Sequence, residues 1–312
     1  MFPVEGLVFY DENSNGLQDG NEAAVVPGAE LLIAGRTARA EAGGRVTVNN
    51  VPQGIATASL VPESLPPYYL PGAPVELNVP LPEGELVRIG ARLPIGENRA
   101  GVYMAFGDSI SVGEGSSDNR GYRPRLEGQL RAHFGQGVVV DRGIGGTRSN
   151  EGLDRVSLTL RREDPAYTLI LYGTNDWNAS ECRNVPDPPC FTIDSVRRIV
   201  QAAKGVQSLP ILGTVLPTNT GFDARAPESR NVWVAAINDR LRVMAAEEGV
   251  RVADLHAAFL TKVPDFRSLF VDHVHPNDQG YAIMADAWFE AITTRPASAA
   301  AAPGFGFGPP RP

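Results

Sequence analysis

At 312 residues, with a formal charge of −8, the chain is long enough for two folded units and too acidic for bulk attraction to nucleic acid or an anionic membrane. No apolar run reaches the length of a membrane span, and Met1-Phe2-Pro3-Val4-Glu5 does not read as a secretion signal. The 33 glycines and 26 prolines point to a loop-rich, partly β architecture.

From the N-terminus, short strand-like runs at 4–10, 30–34, 45–48, 56–61, 74–79 and 85–93 are separated by Gly and Pro. That rhythm predicts a small β-sandwich over 1–93. Just after the first run, Asp11, Asn13, Asn15, Gly16, Asp19 and Glu22 fall at the spacing of a twelve-residue calcium loop. Asp11, Asn13, Asn15, Asp19 and Glu22 would supply side-chain oxygens, Leu17 its carbonyl, and Gly16 the sharp turn. A strand precedes this loop and no helix is evident around it, so the context is not an EF-hand. Residues 94–100 read as a linker.

From residue 101 the pattern changes. Apolar runs at 102–106, 138–141, 169–172, 211–215 and 250–255 alternate with helix-period segments at 122–134, 150–161, 192–207, 229–248 and 277–294. Continuous apolar strands alternating with helices predict a parallel sheet covered on both faces. The expected fold class is α/β: a three-layer, flavodoxin-like sandwich over 101–295, with five strands in the order 2-1-3-4-5. Residues 296–312 are low in complexity and are expected to be disordered. Cys182 and Cys190, the only two cysteines, flank a Pro-rich loop and are expected to form a disulfide in an exported protein.

Four blocks follow strand-like runs or precede the last helix: Gly107-Asp108-Ser109-Ile110-Ser111, Gly143-Ile144-Gly145-Gly146, Gly173-Thr174-Asn175-Asp176 and Asp272-His273-Val274-His275-Pro276. Together they hold a serine, a small-residue turn, a carboxamide and an Asp-x-x-His pair, the parts of a serine hydrolase. In an open α/β sheet of the expected order, all four fall at the carboxyl ends of the strands, around the switch point where such folds bind ligands. Taken singly, each has a bland reading: Ser109 as a helix N-cap, His275 and Asp272 as loop residues, Asp108 as a turn former. A zinc reading of His273 and His275 would need further ligands, and His133 and His256 lie in helix-like segments.

The Gly-x-Ser-x-Gly elbow of lipases is absent. The four blocks instead resemble the GDSL esterases, also called SGNH hydrolases, over about residues 101–295. That resemblance implies Ser109 as nucleophile, expected on an exposed turn, and His275 rather than His273 as base. It implies Asp272 as the residue orienting that base, and the N–H groups of Ser109 and Gly146 with the Asn175 amide as oxyanion donors. Gly146 rather than Gly143 matches the family's donor position. Asp141 stands where the family often carries Asn. Arg148 and Trp177 directly follow two blocks and could line the cleft. The implied activity is hydrolysis of short-chain carboxylic esters through an acyl-Ser109 intermediate, with no metal needed for the chemistry. Block one followed by Gly121-Tyr122-Arg123 is similar to the carbohydrate acetylesterases, which implies O-acetyl groups on polysaccharide as substrate. The alternatives are an aryl, lipase or lysophospholipase-like esterase and, in another class, an inactive carbohydrate-binding or adhesion protein. The N-terminal region, with its later Gly43-Gly44-Arg45-Val46 turn, resembles the calcium-binding B-type repeats of bacterial surface adhesins. That resemblance implies structural Ca2+ and a secreted or cell-surface protein.

Overall fold

The computed structural model describes residues 1–183, 190–295 of the chain. The expected loop at 184–189 and the low-complexity tail at 296–312 lie outside the described residues. The chain forms two compact units, 1–94 with 128–137 and 293–295, and 95–127 with 138–292.

The first unit holds eight strands: β1 (Phe2–Tyr10), β2 (Glu30–Ile33), β3 (Arg36–Arg39), β4 (Arg45–Val51), β5 (Gly54–Leu60), β6 (Leu70–Pro71), β7 (Val75–Val79) and β8 (Val87–Arg92). They form two four-stranded sheets, β4-β1-β8-β6 and β3-β2-β5-β7. The pairings are antiparallel except that β1 runs parallel to β8. Alternation puts Val46 and Val48 of β4 inside and their neighbours outside. The inner faces meet at Gly6, where an added Cβ would lie 2.8 Å from Leu31 of the other sheet and 3.1 Å from Val46 of its own. β3 and β6 were not among the expected strands. β3 is largely exposed and β6 spans two residues, so neither carries a hydrophobic period.

The second unit is an α/β fold around a five-stranded parallel sheet of β9 (Arg99–Gly107), β10 (Val138–Gly143), β11 (Pro165–Leu171), β12 (Leu209–Gly213) and β13 (Arg251–Ala253). The order is β10-β9-β11-β12-β13, the expected 2-1-3-4-5. β9 starts inside the expected linker because Arg99 already pairs with Pro165 of β11. Every residue of β11 and β12 is buried, which is why these strands read as unbroken apolar runs.

The helices are α1 (Ser109–Val112), α2 (Arg123–Phe134), α3 (Ser149–Glu163), α4 (Ser180–Arg183), α5 (Thr192–Gly205), α6 (Glu228–Glu248), α7 (Leu255–Lys262) and α8 (Asp278–Thr293). Val156 and Leu160 of α3, Val196, Ile199 and Val200 of α5, and Trp233, Ile237 and Leu241 of α6 share one core with Met104, Phe106, Ile170 and Leu212 of the sheet. Leu212 and Gly213 face opposite sides of the sheet. On the far side, the position a Gly213 Cβ would take is filled by the Trp288 ring of α8 at 2.9 Å. These are the three layers. The fifth strand is shorter than its expected run, since Asp254 accepts the Ala257 N–H and starts α7. Cys182 and Cys190 are joined by a disulfide with their Cα atoms 4.5 Å apart.

Candidate active site

Strand register places three of the four blocks level with one another. Gly107 of β9 sits opposite Gly143 of β10 and Leu171 of β11, so the chain leaves all three strands at one height. Four glycines in these blocks, Gly107, Gly143, Gly145 and Gly173, answer to crowding. A Cβ on Gly107 would lie 2.3 Å from the Leu171 carbonyl, and one on Gly143 would lie 2.7 Å from the Val112 N–H and 2.8 Å from the Asp108 carbonyl. Gly143 thus lets the turn bearing Ser109 pack onto the end of β10. Gly146 is different: it has φ +75 and open space where a Cβ would be.

Asp108 caps α1. Its Oδ1 accepts the Ile110 N–H at 3.0 Å, and Ser109 follows as the first helical residue. The N-cap is therefore Asp108, not Ser109. At that first position no helical carbonyl reaches the Ser109 N–H. Neither that N–H nor the Gly146 N–H donates a hydrogen bond among the described residues. Ser109 is 6% exposed, which corrects the expected exposed turn. Gly145 packs against it, since a Cβ there would come within 3.9 Å of Ser109 Cβ, and the imidazole of His275 covers its hydroxyl.

His275 Nε2 is 2.9 Å from Ser109 Oγ, and its Nδ1 is 2.7 Å from Asp272 Oδ2. With Nδ1–H donating to Asp272, Nε2 is free to accept the serine proton. Asp272 Oδ1 accepts the N–H groups of Val274 at 2.8 Å and His275 at 2.7 Å, leaving Oδ2 for the ring. Burial pushes the Asp272 carboxyl up, but the His275 N–H, the His275 ring and the Val274 N–H outweigh it and hold the group below the usual carboxylate range. A depressed value keeps Asp272 ionised at neutral pH, and its stabilising contribution is lost only as pH falls through that lowered value. The loop itself is pinned: the Val271 N–H donates to the His275 carbonyl at 3.0 Å, and the Asn277 N–H donates to the Leu269 carbonyl at 2.8 Å. His273 stands apart, with Nδ1 3.9 Å from Asp272 Oδ1 and without a hydrogen-bond partner among the described residues.

Asn175 is drawn to both neighbouring turns. Its Nδ2 donates to the Thr147 carbonyl at 3.0 Å and lies 3.4 Å from Asp108 Oδ2. Asn175 thus reaches the residue before Ser109 and the residue after Gly146. Burial pushes the Asp108 carboxyl up to about 7, against the lowering effect of the Ile110 N–H and with the help of the Asp176 charge.

Several supporting side chains were not read from the sequence. Asp176 is fully buried and accepts the Ser149 N–H at 2.9 Å, the Ser149 hydroxyl at 2.6 Å and the Thr192 hydroxyl at 2.6 Å. It ties the Asn175 block to the starts of α3 and α5. Arg155 lies over the Phe106 ring and donates to the carbonyls of Gly107 at 3.0 Å and Arg142 at 2.8 Å, clipping the ends of β9 and β10 together. Arg230 is 2% exposed and donates to the Thr174 carbonyl at 2.8 Å. Burial, then repulsion from Arg183, lowers its guanidinium to about 10. Asp176 was visible as the last residue of its block. Arg155 lies in the middle of α3 and Arg230 in the first turn of α6, with no local signal to single them out. Trp177 packs edge-on to Trp233 in the core, so it does not line the cleft. Arg148 is the N-cap of α3, its N–H held by Glu151 at 2.8 Å.

The acidic loop of the first unit is ordered by its own carboxylates. Asp11 is 2% exposed and accepts the N–H groups of Asn15 at 3.1 Å and Gly16 at 2.9 Å. Glu22 is 3% exposed and accepts those of Glu12 at 2.8 Å and Asp19 at 3.0 Å. The amide nitrogens of Asn13 and Asn15 donate to Asp19 Oδ2 at 2.7 and 2.9 Å. Leu17 is exposed. The donors are hard oxygens of the kind calcium prefers. Among the described residues no group of three or more His, Cys, Asp or Glu side chains is gathered as a metal cluster.

The profile of the GDSL-like Lipase/Acylhydrolase family matches residues 105–283, a span that contains all four blocks. Over 123 residues the chain is 28% identical to "Thioesterase 1/protease 1/lysophospholipase L1" of Escherichia coli K12, covering 39% of this chain and 55% of that protein. The chain thus spans about half the length of the curated relative it matches. Among solved structures, the lipase/acylhydrolase from Enterococcus faecalis superposes with a TM-score of 0.51 at 21% identity, covering 61% of this chain and 94% of that one. An acetylxylan esterase from Geobacillus stearothermophilus superposes with a TM-score of 0.51 at 24% identity, covering 64% and 96%. At such identities the two structures speak to fold.

Proposed function

This chain belongs to the GDSL-like lipase/acylhydrolase family, and from that premise we propose that it is a carboxylic ester hydrolase that works through an acyl-Ser109 intermediate on short-chain esters, O-acetyl groups of carbohydrate in particular. The observation that carries the reading is the unbroken chain from Ser109 Oγ through the His275 ring to Asp272, with links of 2.9 and 2.7 Å. Ser109 Oγ attacks the ester carbonyl while its proton passes to His275 Nε2. Asp272 steadies the imidazolium that forms. The Ser109 and Gly146 N–H groups and the Asn175 amide hold the oxyanion. His275 then gives its proton to the departing alkoxide, the acyl–oxygen bond breaks, and acyl-Ser109 remains. Water repeats the sequence, with His275 again as base, to release the acid and restore Ser109.

The acetyl preference rests on block one and the following Gly121-Tyr122-Arg123, together with the Gly173-Thr174-Asn175-Asp176 block. The match to a thioesterase and lysophospholipase favours a second reading, longer acyl chains on lipid or thioester carriers. A panel of p-nitrophenyl esters run beside acetylated xylan separates them. The expected result is release of acetate from xylan and a fall in kcat/KM beyond short acyl chains. A preference for chains of about eight carbons or more would move the assignment to the second reading. Covalent labelling of Ser109 by a fluorophosphonate is expected, and its failure would favour an inactive binding protein.

The Asp11–Glu22 loop is proposed to take calcium as a structural ion in an exported protein, a setting that suits the Cys182–Cys190 disulfide. Asp11, Asn13, Asn15, Asp19, Glu22 and the Leu17 carbonyl would hold it. Binding to the folded form alone stabilises it by mass action. Calcium is expected to raise the melting temperature of the N-terminal unit and EDTA to lower it, with initial rates at moderate temperature unchanged. Melting curves indifferent to both would remove the ion from the account.

A further inference from the structure

The nucleophile has a charged neighbour that the triad does not use. Glu114 follows α1 and is fixed by its backbone on both sides: its N–H donates to the Ser109 carbonyl at 3.1 Å, and its carbonyl accepts the Tyr281 hydroxyl at 2.7 Å. The side chain returns over the site. One carboxylate oxygen, Oε2, lies 3.5 Å from His275 Nε2, the same nitrogen that faces Ser109 Oγ. The other, Oε1, lies against Gly145, where an added Cβ would be 2.5 Å from it and 3.9 Å from Ser109 Cβ. The Glu114 carboxylate therefore stands between the base and the Gly145-Gly146 turn, beside the place an ester must enter. Among the described residues it has no Lys or Arg partner, and its side chain is 47% exposed. Its charge is left to act on whatever approaches.

We propose that Glu114 is a specificity-determining residue that discriminates by charge: esters bearing a negative group a few ångströms from the scissile carbonyl are repelled, and neutral acyl groups on neutral alcohols are admitted. The proposal rests on the serine-esterase reading and narrows its substrate class to uncharged esters such as O-acetyl groups on neutral sugars. A like charge at about 5 Å across a half-hydrated gap changes an equilibrium by about tenfold, and that is the discrimination expected. Glu114 has no reacting atom, and its effect is on which ester reaches Ser109.

The test is a matched pair of esters, p-nitrophenyl butyrate and p-nitrophenyl hemisuccinate, with acyl chains of the same length that differ in a terminal carboxylate. The readout is the hemisuccinate-to-butyrate ratio of kcat/KM, which a general loss of activity or of folding does not move. Glu114→Gln keeps size and shape and removes the charge, so the ratio is expected to rise about tenfold. Glu114→Lys is expected to raise it further. Added salt is expected to raise the ratio of the wild-type enzyme and to leave that of Glu114→Gln nearly unchanged. The salt series on the wild type stands by itself if either variant fails to fold. A ratio that is the same in wild type and Glu114→Gln, or a wild-type ratio indifferent to salt, would overturn the proposal while leaving the esterase reading intact. If the wild type hydrolyses neither ester, that reading falls and takes the proposal with it.

Discussion

Ser109→Ala and His275→Ala are each expected to lower kcat on p-nitrophenyl acetate by roughly four orders of magnitude or more, with little change in melting temperature. Neither residue acts alone. Without the hydroxyl there is nothing for the imidazole to deprotonate, and without the imidazole the serine stays a weak nucleophile. Loss of either should therefore cost about as much as loss of both, and the double variant should be hardly slower than the singles. The serine change removes one oxygen from a buried position, and the hydrogen bond lost is to the catalytic ring and not to the core. His273→Ala is the control. The Nδ1 of that ring has no hydrogen-bond partner among the described residues and lies 3.9 Å from Asp272 Oδ1, so most turnover is expected to survive. Steady-state rates and thermal melts on the four variants decide the matter. Turnover near wild type in Ser109→Ala would end the serine-esterase reading, and a larger loss in His273→Ala than in His275→Ala would reassign the base.

Asn175→Ala is expected to lower kcat by roughly two to three orders of magnitude with a much smaller change in KM, as loss of one oxyanion donor does. The split follows from when the interaction forms. Charge on the carbonyl oxygen develops only on the way to the tetrahedral intermediate, so the missing amide is felt in the transition state more than in the bound ester. The geometry adds a second expectation. Asn175 Nδ2 also donates to the Thr147 carbonyl, one residue past Gly146. Removing the amide loosens the turn that carries a second donor. Asn175→Asp keeps the size and replaces the donor with an acceptor carrying a charge, so it should be at least as slow as Asn175→Ala. A KM effect that exceeds the kcat effect would place Asn175 in substrate binding instead.

How much of this was legible before folding can be seen residue by residue. The alternation of buried runs with helix-period segments determined the five-stranded parallel sheet, because a strand covered on both faces is buried along its whole length and so mostly apolar, as β11 and β12 are. The order 2-1-3-4-5 then put the blocks after β9, β10 and β11 at one end of the sheet, and the spacing in Asp272-His273-Val274-His275 offered an acid and two candidate bases in one loop. Those are local properties, set by periodicity and by residue type. The sequence by itself therefore determined the fold class, the reaction class and a short set of candidates.

The family resemblance had already chosen among the candidates, and the folded chain supplied the physical reasons for those choices. His275 rather than His273 faces Ser109, because the Asp272 carboxylate takes two backbone N–H groups on one oxygen and turns the other to the His275 ring. Gly143 is a glycine because the turn bearing Ser109 packs on it, whereas Gly146 is left in the open with a positive φ. Ser109 was expected on an exposed turn and is buried, because the covering groups, Gly145 and His275, come from the ends of other elements. Trp177 follows a catalytic block yet belongs to the core, since the short turn after Asn175 points it at Trp233. The clips made by Arg155 and Arg230 and the charge of Glu114 beside the base had no signature of their own, and Asp176 was visible only as part of its block. A carboxylate or guanidinium in a loop or helix looks the same whether it meets water or a neighbouring strand, and only the folded chain brings the partner within reach.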